Sequence, residues 1–282
     1  MSEMLKNHKI VIIGGNGAIG KTFLKAAIAQ GATCAVIGLN DPEINVAFFH
    51  ADITSLVELT EAADQAISVI GGLDIVVNFA GTHHQPMDFC KDDPEMLLSE
   101  YIRVMNVNLT GAFLVTMIFS KHMVAHRHGH IMHLCSNATR LALYGSYAYN
   151  MSKHGLEGLI KTAAAQLAPF GVRVNGIAPG TVETPMNYSL LRSGEQGSYS
   201  LRAATILAHT PTKRFATLEG ITQTILATCI PQSHLTGNVI FCDDGYNIEG
   251  HSWPAGNAAL YGGSEKLDEL YAHLKYEYPS EN

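Results

Sequence analysis

Three side chains between residues 136 and 153 have the types and spacing that acid–base chemistry requires. Tyr149 and Lys153 are four residues apart, so in a helix both side chains leave the same face. A free tyrosine titrates near pH ~10, and a neighbouring ammonium moves a phenol toward neutrality, where a proton donor is most useful. Ser136 follows the apolar run 131–135, which predicts a strand that presents the hydroxyl at its carboxyl edge. A Tyr–Lys pair at this spacing also occurs by chance in helices, so the surrounding motifs decide its meaning.

A glycine-rich segment follows the first apolar run. Residues 10–13 read as a buried strand, residues 14–20 are GGNGAIG, and a helical pattern follows over 22–30. Glycines let the backbone approach a pyrophosphate, and the N-terminus of the next helix favours its negative charge. An ordinary tight turn has the same composition, but the position after the first strand favours a dinucleotide site. The candidate phosphate-binding residues are Gly14, Asn16, Gly17, Ala18, Ile19 and Gly20.

The rest of the chain alternates apolar runs with helical patterns. Further strands are predicted at 32–37, 46–50, 73–77, 131–135, 171–177 and 238–242. Helices are predicted at 54–70, 95–126 with a break near Ser99, 149–167 and 217–229. This alternation predicts an α/β fold with a doubly wound, Rossmann-like parallel sheet covered on both faces. We expect one domain over 1–246, with a mobile flap at about 182–214, and a C-terminal extension over 247–282.

Three features have two interpretations each. Asn108 lies inside a predicted helix, where asparagine marks a kink or is simply solvated. The apolar stripe from Leu156 to Leu167 suits a core or a subunit interface. The polar stretch 182–214 is either a flap over the site or a surface insertion.

Five histidines lie close together in the sequence. His122 and His126 have the i, i+4 spacing of helical metal ligands, and His128, His130 and His133 follow. No acidic or cysteine ligand accompanies them, and the last three enter a predicted strand whose alternate side chains face opposite ways. We interpret the group as a solvated helix end and strand entry, and we expect no metal site.

Composition excludes some partners. The formal net charge of −7 offers no basic surface for nucleic acid or an anionic membrane. The five cysteines form no CxxC pair, which favours a reducing compartment. We find no signal-peptide pattern and no run of membrane-spanning length, and therefore expect a cytoplasmic protein.

Together these residues resemble the short-chain dehydrogenase/reductase family, in its one-domain branch, over about residues 6–246. The resemblance is carried by Gly14 to Gly20, Asp52, Asn78 to Gly81, Asn108, Ser136, Tyr149, Lys153, Asn175 to Gly180, Thr184, Leu235 to Gly237 and Asp243. By position it implies that Tyr149 is the acid–base and that Lys153 holds the nicotinamide ribose. It further implies that Ser136 bonds the substrate oxygen and that Asn108 supports a proton-relay water. Besides the glycine turn, it implies cofactor contacts from Asp52, Ile53, Asn78, Ala80, Gly81, Tyr149, Lys153, Pro179, Gly180, Val182 and Thr184.

The chain departs from the family pattern at several positions. Ile13 stands where the family usually has Thr, Ala18 replaces a glycine and Phe79 replaces an Asn. The glycines also fit the GxxGxxG spacing of the two-domain branch, but no substantial C-terminal domain is predicted. Asp41, after the second strand, either binds the adenosine ribose or opens an Asp-Pro turn. No basic residue is placed for a 2′-phosphate, so NAD is favoured over NADP.

The resemblance implies an NAD(P)-dependent oxidoreductase that interconverts a secondary alcohol and a ketone on a small polar substrate, and a homo-oligomer, usually a tetramer or dimer. Residues 206–215 are similar to sugar-acid oxidoreductases of the family that act on mannonate or fructuronate. His209 and Arg214 are therefore candidates for binding a carboxylate, although Arg214 equally suits a structural pair. The other candidate substrate residues are Ser136, Ala138, Tyr149 and Met186. The alternatives are a non-catalytic dinucleotide-binding protein and a nucleotide-sugar epimerase or dehydratase.

Overall fold

The computed structural model describes residues 4–143, 145–185, 187–192, 198–230 and 233–248, and this part of the chain contains seven strands. They are β1 (Lys9–Ile13), β2 (Thr33–Gly38), β3 (Ala47–His50), β4 (Ile75–Asn78), β5 (Gly129–Leu134), β6 (Val172–Pro179) and β7 (Val239–Cys242). The helices are α1 (Ala18–Ala29), α2 (Leu56–Ile70), α3 (Pro94–Met105), α4 (Gly111–His126), α5 (Tyr147–Leu167), α6 (Tyr188–Leu191), α7 (Leu201–His209) and α8 (Leu218–Cys229). Each predicted strand is present.

All neighbouring strands pair in parallel, in the order β3-β2-β1-β4-β5-β6-β7. The chain winds outward from β1 to β3 and then returns to β4 on the other side of β1. In open α/β sheets, ligands bind at the carboxyl ends of the strands where the order reverses. This arrangement confirms the predicted doubly wound, Rossmann-like sheet and places the crevice between the ends of β1 and β4.

Helices cover both faces of the sheet with apolar side chains. On one face, Leu59 of α2, Phe119 of α4 and Ile160 of α5 are fully buried. On the other face, Phe23 of α1 and Ile225 of α8 are fully buried. Burial on both faces explains why the strands read as continuous apolar runs.

The apolar stripe of α5 belongs to this core. Leu156, Ile160 and Ala164 are buried under the sheet. The structure therefore supports the core interpretation for these three residues, and the contact of α5 with a neighbouring subunit stays a prediction.

The helical run after residue 93 differs from the prediction. α3 passes through Ser99 without a break, so the predicted break there is wrong. The irregularity lies instead at Asn106–Thr110, a π-helical turn between α3 and α4 that contains Asn108. Such turns are rare and displace backbone groups from the regular α-helical pattern. Of the two interpretations of Asn108, the structure supports the kink, because its side chain is buried.

This run, Pro94–His126, also corrects the expectation that nothing is long enough to span a membrane. Among the described residues, this run forms one continuous helix. By length and composition alone, that helix is long enough and apolar enough to cross a bilayer. Val115, Phe119 and Met123 of α4 are buried in the core of the sheet. A core helix meets the same two criteria, so the finding is weak evidence for a membrane span.

The histidines are not all solvated. His126 and His128 are exposed, but His130 and His133 of β5 are buried, at 2% and 0% exposure. The interpretation of the whole group as a solvated helix end is therefore wrong for the two strand residues, whose side chains point into the layers beside the sheet.

The region 182–214 contains α6 and α7. Ser200 links them, because its hydroxyl donates to the carbonyl oxygen of Leu190 (2.7 Å) and accepts from the N–H of Ala203 (3.1 Å). Residues 186 and 193–197 of the predicted flap, and residues 249–282 of the predicted C-terminal extension, lie outside the described residues. The flap's mobility and the domain limits stay predictions.

Candidate active site

The glycine turn packs tightly against the segment after β4. Gly14 has φ +72°, and a Cβ there would lie 2.9 Å from the backbone nitrogen of Ala80. A Cβ on Gly20 would lie 2.6 Å from the carbonyl oxygen of Gly14. Neither position has room for a side chain, so close backbone packing at the switch point requires both glycines.

Gly17, by contrast, has room for a side chain. A Cβ on Gly17 would meet no described atom nearer than the carbonyl oxygen of Gly14, at 3.7 Å. Gly17 is the N-cap of α1 and provides no side-chain hydrogen bond to the helix, and Asn16 beside it is exposed. The first N–H groups of α1, from Ala18 to Gly20, are therefore not capped by a side chain. Free donors at a helix N-terminus beside an open glycine fit the pyrophosphate of a dinucleotide.

The end of β4 leads from the glycine turn to the predicted catalytic residues. The Oδ1 of Asn78 accepts a hydrogen bond from the N–H of Ala80 (3.0 Å). A Cβ on Gly81 would lie 3.4 Å from Oδ1 of Asn108 and 3.9 Å from Nζ of Lys153. A side chain at Gly81 would therefore contact both predicted residues, and the glycine leaves this space open.

Asn108 holds the backbone of Thr82 from both sides. Its Oδ1 accepts from the N–H of Thr82 (2.7 Å), and its Nδ2 donates to the Thr82 carbonyl oxygen (2.9 Å) and to Oγ of Ser152 (3.0 Å). The Ser152 hydroxyl in turn donates to the carbonyl oxygen of Tyr149 (2.8 Å). The π-helical turn thus connects the end of β4 to the first turn of α5.

Replacing Asn108 with Asp is expected to lower the free energy of unfolding by roughly 1–3 kcal/mol. A carboxylate cannot donate to the Thr82 carbonyl and would place a buried charge without a cationic hydrogen-bond partner. Urea unfolding would measure the loss. Asn106→Asp is the matched control, because Asn106 is exposed in the same π-helical turn. Equal losses in the two variants would contradict the role of Asn108 as a clamp.

Lys153 and Tyr149 lie together at the start of α5. Lys153 is buried, its Nζ donates to the carbonyl oxygen of Leu134 (2.7 Å), and this nitrogen lies 5.5 Å from the centroid of the Tyr149 ring. Ser136 lies two residues after Leu134, where its hydroxyl accepts from the N–H of Ala138 (3.2 Å). The structure therefore brings Asn108, Tyr149 and Lys153 together and places Ser136 at the same sheet edge.

His133 forms a buried polar chain behind this edge. Nδ2 of Asn78 donates to Nδ1 of His133 (3.3 Å), so the neutral ring carries its proton on Nε2. Nε2 lies 2.9 Å from Oγ1 of Thr116, which donates to the carbonyl oxygen of Ala112. Burial lowers the pKa of His133 from 6.5 to about 3, and the positive charge of Lys153 acts in the same direction. His133 is therefore a neutral support for Asn78.

The buried His133 is expected to make the protein less stable in acid. Unfolded histidine binds a proton below about pH 6.5 and the native residue only below about pH 3, so between these values the unfolded state holds more protons. The free energy of unfolding should therefore fall as the pH is lowered, by about 2 kcal/mol from this group between pH 7 and 5.

Urea unfolding of wild type and His133→Gln at the two pH values measures this contribution, because Gln can hydrogen-bond to Asn78 and Thr116 without titrating. The variant should lose less stability in acid than the wild type. His126→Gln, at an exposed position, serves as the control. A pH dependence that is unchanged in His133→Gln would contradict the assignment.

Several predicted cofactor residues are held in turns near the strand ends. Oδ1 of Asp41 accepts from the N–H of Glu43 (2.7 Å), which is the Asp-Pro turn that the sequence left open. Oδ1 of Asp52 accepts from the N–H and hydroxyl of Thr54 (2.8 Å each), and Ile53 is buried. These contacts fix the backbone near the ends of β2 and β3.

The remaining predicted cofactor residues lie in the segment that follows β6. Pro179 ends β6, and the N–H of Gly180 donates to the carbonyl oxygen of Cys242 (3.1 Å). Val182 is buried, and the N–H and hydroxyl of Thr184 donate to Oδ1 of Asn187 (2.9 and 3.1 Å). The structure thus leads this segment from the sheet edge toward α6.

The predicted substrate residues are less concentrated. Nδ1 of His209 donates to the carbonyl oxygen of Thr205 (2.9 Å), and Arg214 forms an ion pair with Asp244 (2.9 Å). The ion pair is the structural role that the sequence left open for Arg214. Ala138 is fully buried, and Met186 lies outside the described residues.

Sequence reasoning missed the residues that immediately follow Gly81. The ring of His83 lies 4.5 Å from the ring of Tyr149, and that of His84 lies 4.7 Å from Tyr147, measured between centroids. The available signal was a pair of histidines directly after Asn78–Gly81, at the end of a strand predicted to border the cofactor.

The parallel, doubly wound sheet has an open glycine turn at its switch point. Asn, Ser, Tyr and Lys side chains lie at the same edge. This combination defines an NAD(P)-dependent dehydrogenase. The chain belongs to the short-chain dehydrogenase family, whose model matches residues 8–194.

Relatives support the assignment. The chain is 29% identical over 254 residues to "Borneol dehydrogenase, mitochondrial" of Lavandula x intermedia, covering 86% of this chain and 92% of the relative. It is 31% identical over 195 residues to "3-alpha-(or 20-beta)-hydroxysteroid dehydrogenase" of Mycobacterium bovis, covering 66% and 73%. The solved aldohexose dehydrogenase of Thermoplasma acidophilum shares the fold, with a TM-score of 0.78 at 22% identity over 89% of this chain and 98% of that one.

Proposed function

We propose that this dehydrogenase interconverts a secondary alcohol and a ketone on a small polar substrate, with Tyr149 as the acid–base. The observation that carries the proposal is the position of Lys153 Nζ, which lies 5.5 Å from the centroid of the Tyr149 ring and 3.9 Å from where a Cβ on Gly81 would be. Relatives named for borneol and hydroxysteroids support an alcohol as substrate.

A nicotinamide bound at this edge would supply the acceptor for the hydride of the carbinol C–H bond. As that C–H bond breaks, the phenolate of Tyr149 takes the proton of the substrate hydroxyl, and the oxygen becomes a carbonyl; the reverse direction returns both. The buried Lys153 supplies a positive charge beside the phenolate. Ser136 at the same edge bonds the substrate oxygen, and Asn108 holds the start of α5 through Ser152.

The residues present fit a dinucleotide. The uncapped N-terminus of α1 and the open side of Gly17 would hold the pyrophosphate, and Ala80 and Gly81 leave room at the end of β4.

We propose NAD rather than NADP. Near the end of β2 the Asp41 carboxylate is exposed, and the nearby cation Lys21 is engaged by Glu43 at 3.5 Å. A 2′-phosphate would meet negative charge there.

The proposed function is tested by measuring enzymatic turnover of alcohols and ketones. Purified protein with NAD or NADP and a panel of secondary alcohols, or with the reduced cofactors and the matching ketones, should give a net change in nicotinamide absorbance, larger with NAD. Cofactor binding without turnover on the whole panel would favour a non-catalytic protein. Conversion of a nucleotide sugar with no net absorbance change would favour an epimerase or dehydratase.

The finer form of the proposal is a sugar-acid-like substrate. Its support is the likeness of residues 206–215 to sugar-acid oxidoreductases, which makes Arg214 and His209 the candidate anion contacts. Since Arg214 is paired with Asp244, a carboxylate would have to replace that partner.

We also propose a cytoplasmic homo-oligomer, a tetramer or a dimer. All five cysteines are free, which suits a reducing compartment. The candidate contact between subunits is formed by exposed apolar side chains on the neighbouring helices α3, α4 and α5. They are Ile102, Phe113 and Met151, which are 49%, 50% and 43% exposed. Analytical ultracentrifugation that detects only monomer would refute the assembly.

A further inference from the structure

The short segment Thr82–His84 lies directly against Tyr149. The ring of His83 is tilted by 48° to the Tyr149 ring, with 4.5 Å between centroids. This is the distance of aromatic rings in contact. An imidazole so close to the phenol that is proposed to meet the substrate oxygen borders the space next to that oxygen.

Two residues hold the backbone of this segment in place. Arg103 of α3 donates from Nη1 to the Thr82 hydroxyl and from Nη2 to the His83 carbonyl oxygen, both at 2.8 Å, while Glu100 pairs with the same guanidinium (2.7 Å). Asn108 holds the N–H and carbonyl of Thr82 from the other side. A segment fixed on both sides presents the His83 ring in one position, as a preorganised contact requires.

The hydrogen bonding of His83 determines which ring nitrogen can face a ligand. Nδ1 is bonded to the carbonyl oxygen of His84, and because a carbonyl only accepts, Nδ1 carries the proton. Burial lowers the pKa of His83, and the positive charges of Arg202 and Arg103 act in the same direction. The ring is therefore neutral near pH 7, and Nε2, which has no partner among the described residues, offers a lone pair.

The neighbouring His84 makes similar contacts but is buried. It is 4% exposed, its Nδ1 donates to the carbonyl oxygen of Gln85 (2.7 Å), and its ring packs on Tyr147. His83 is only half-buried. Of the two histidines, His83 is therefore the one that a substrate can reach.

We propose that Nε2 of His83 accepts a hydrogen bond from a substrate hydroxyl on the carbon next to the reacting carbon, so that the substrates are vicinal diols and the corresponding α-hydroxy ketones. The inference rests on the proposed function, since it places the reacting oxygen at Tyr149. With 4.5 Å between the ring centroids, the imidazole and the phenol border the same space, where two oxygens on neighbouring carbons can each meet one of the rings. An acceptor left without its donor penalises the analogue that lacks the hydroxyl.

The test compares matched ketones that differ by one hydroxyl: acetoin with butanone, and α-hydroxycyclohexanone with cyclohexanone. The wild type should have a kcat/KM roughly tenfold higher for the hydroxy ketone of each pair. His83→Phe keeps a ring against Tyr149 and removes the acceptor, so it should lower kcat/KM for the hydroxy ketones only and bring the ratio to about one. His83→Gln, which keeps an acceptor, should restore part of the preference, and His126→Phe, an exposed control, should change neither value.

The outcomes separate the two proposals. Turnover that depends on Tyr149, with the same hydroxy-ketone preference in wild type and His83→Phe, overturns the role of His83 and leaves the proposed function intact. An equal loss on both members of a pair also overturns it, because His83 would then act only on the shape of the site. No turnover of either member of any pair by the wild type counts against the proposed function, and the role of His83 fails with it.

Discussion

Tyr149→Phe should lower kcat by roughly 10²–10⁴-fold while leaving dinucleotide affinity nearly unchanged. The substitution removes only the hydroxyl that is proposed to exchange a proton with the substrate. The ring remains against His83 and near Lys153, so the packing around the start of α5 is retained. Nicotinamide absorbance measures the turnover, and quenching of the protein's fluorescence on cofactor addition measures the affinity.

Tyr147→Phe is the matched control, two residues away in the same helix. The Tyr147 hydroxyl donates to the Leu97 carbonyl oxygen and burial raises the pKa of this group, so it is a structural phenol. Its removal should cost about 1 kcal/mol of stability and leave kcat largely intact. Turnover that survives Tyr149→Phe, or that is lost equally in Tyr147→Phe, would sink the acid–base assignment.

The second large effect is expected from substitutions in the glycine turn. The expected loss of stability differs between Gly20 and Gly17, which are three residues apart. Gly20→Ala should lower the free energy of unfolding by roughly 1–3 kcal/mol, because the new Cβ would lie 2.6 Å from the Gly14 carbonyl oxygen. The N-terminal end of α1 would have to move away from the glycine turn. Dinucleotide affinity should fall with it, and urea unfolding together with cofactor titration measures both.

Gly17→Ala should separate binding from stability. Its Cβ would be 3.7 Å from the nearest described atom, so the free energy of unfolding should change by less than about 0.5 kcal/mol. The same Cβ would occupy the side from which a pyrophosphate approaches the N–H groups of α1, so the Kd should rise about tenfold or more. Wild-type affinity in this variant would show that the pyrophosphate does not lie on this turn.

Much of the fold was readable from local patterns. Inner strands such as β1 and β4 are apolar runs because a parallel sheet covered on both faces buries both sides of them. The glycine turn was readable because Gly14 and Gly20 are demanded by backbone contacts that no other residue permits. Tyr149 and Lys153 were readable because four residues of helix fix their relation.

Other features depend on which neighbours the fold supplies. His130 and His133 were interpreted as part of a solvated strand entry, because no other metal ligand accompanies them, yet the sheet buries them, since β5 lies in its interior. The stripe of α5 suited a core or an interface, and only the packing against the sheet showed that Leu156, Ile160 and Ala164 belong to the core. Ser99 gave no sign that the helix would pass it and distort at Asn106–Thr110 instead, where Asn108 binds Thr82 across 26 residues of chain.

The sequence by itself determined the fold class, and it predicted the glycine turn and the Tyr149–Lys153 pair, because these are encoded by a local period or a short fixed spacing. The roles proposed for Asn108 and Ser136 came instead from the resemblance to the family. Only the tertiary structure decided that Arg214 pairs with Asp244, that Asn108 clamps Thr82, and that His83 lies on Tyr149. These contacts join segments far apart in the chain, and whether two such segments meet depends on the strand order and helix packing of the whole domain.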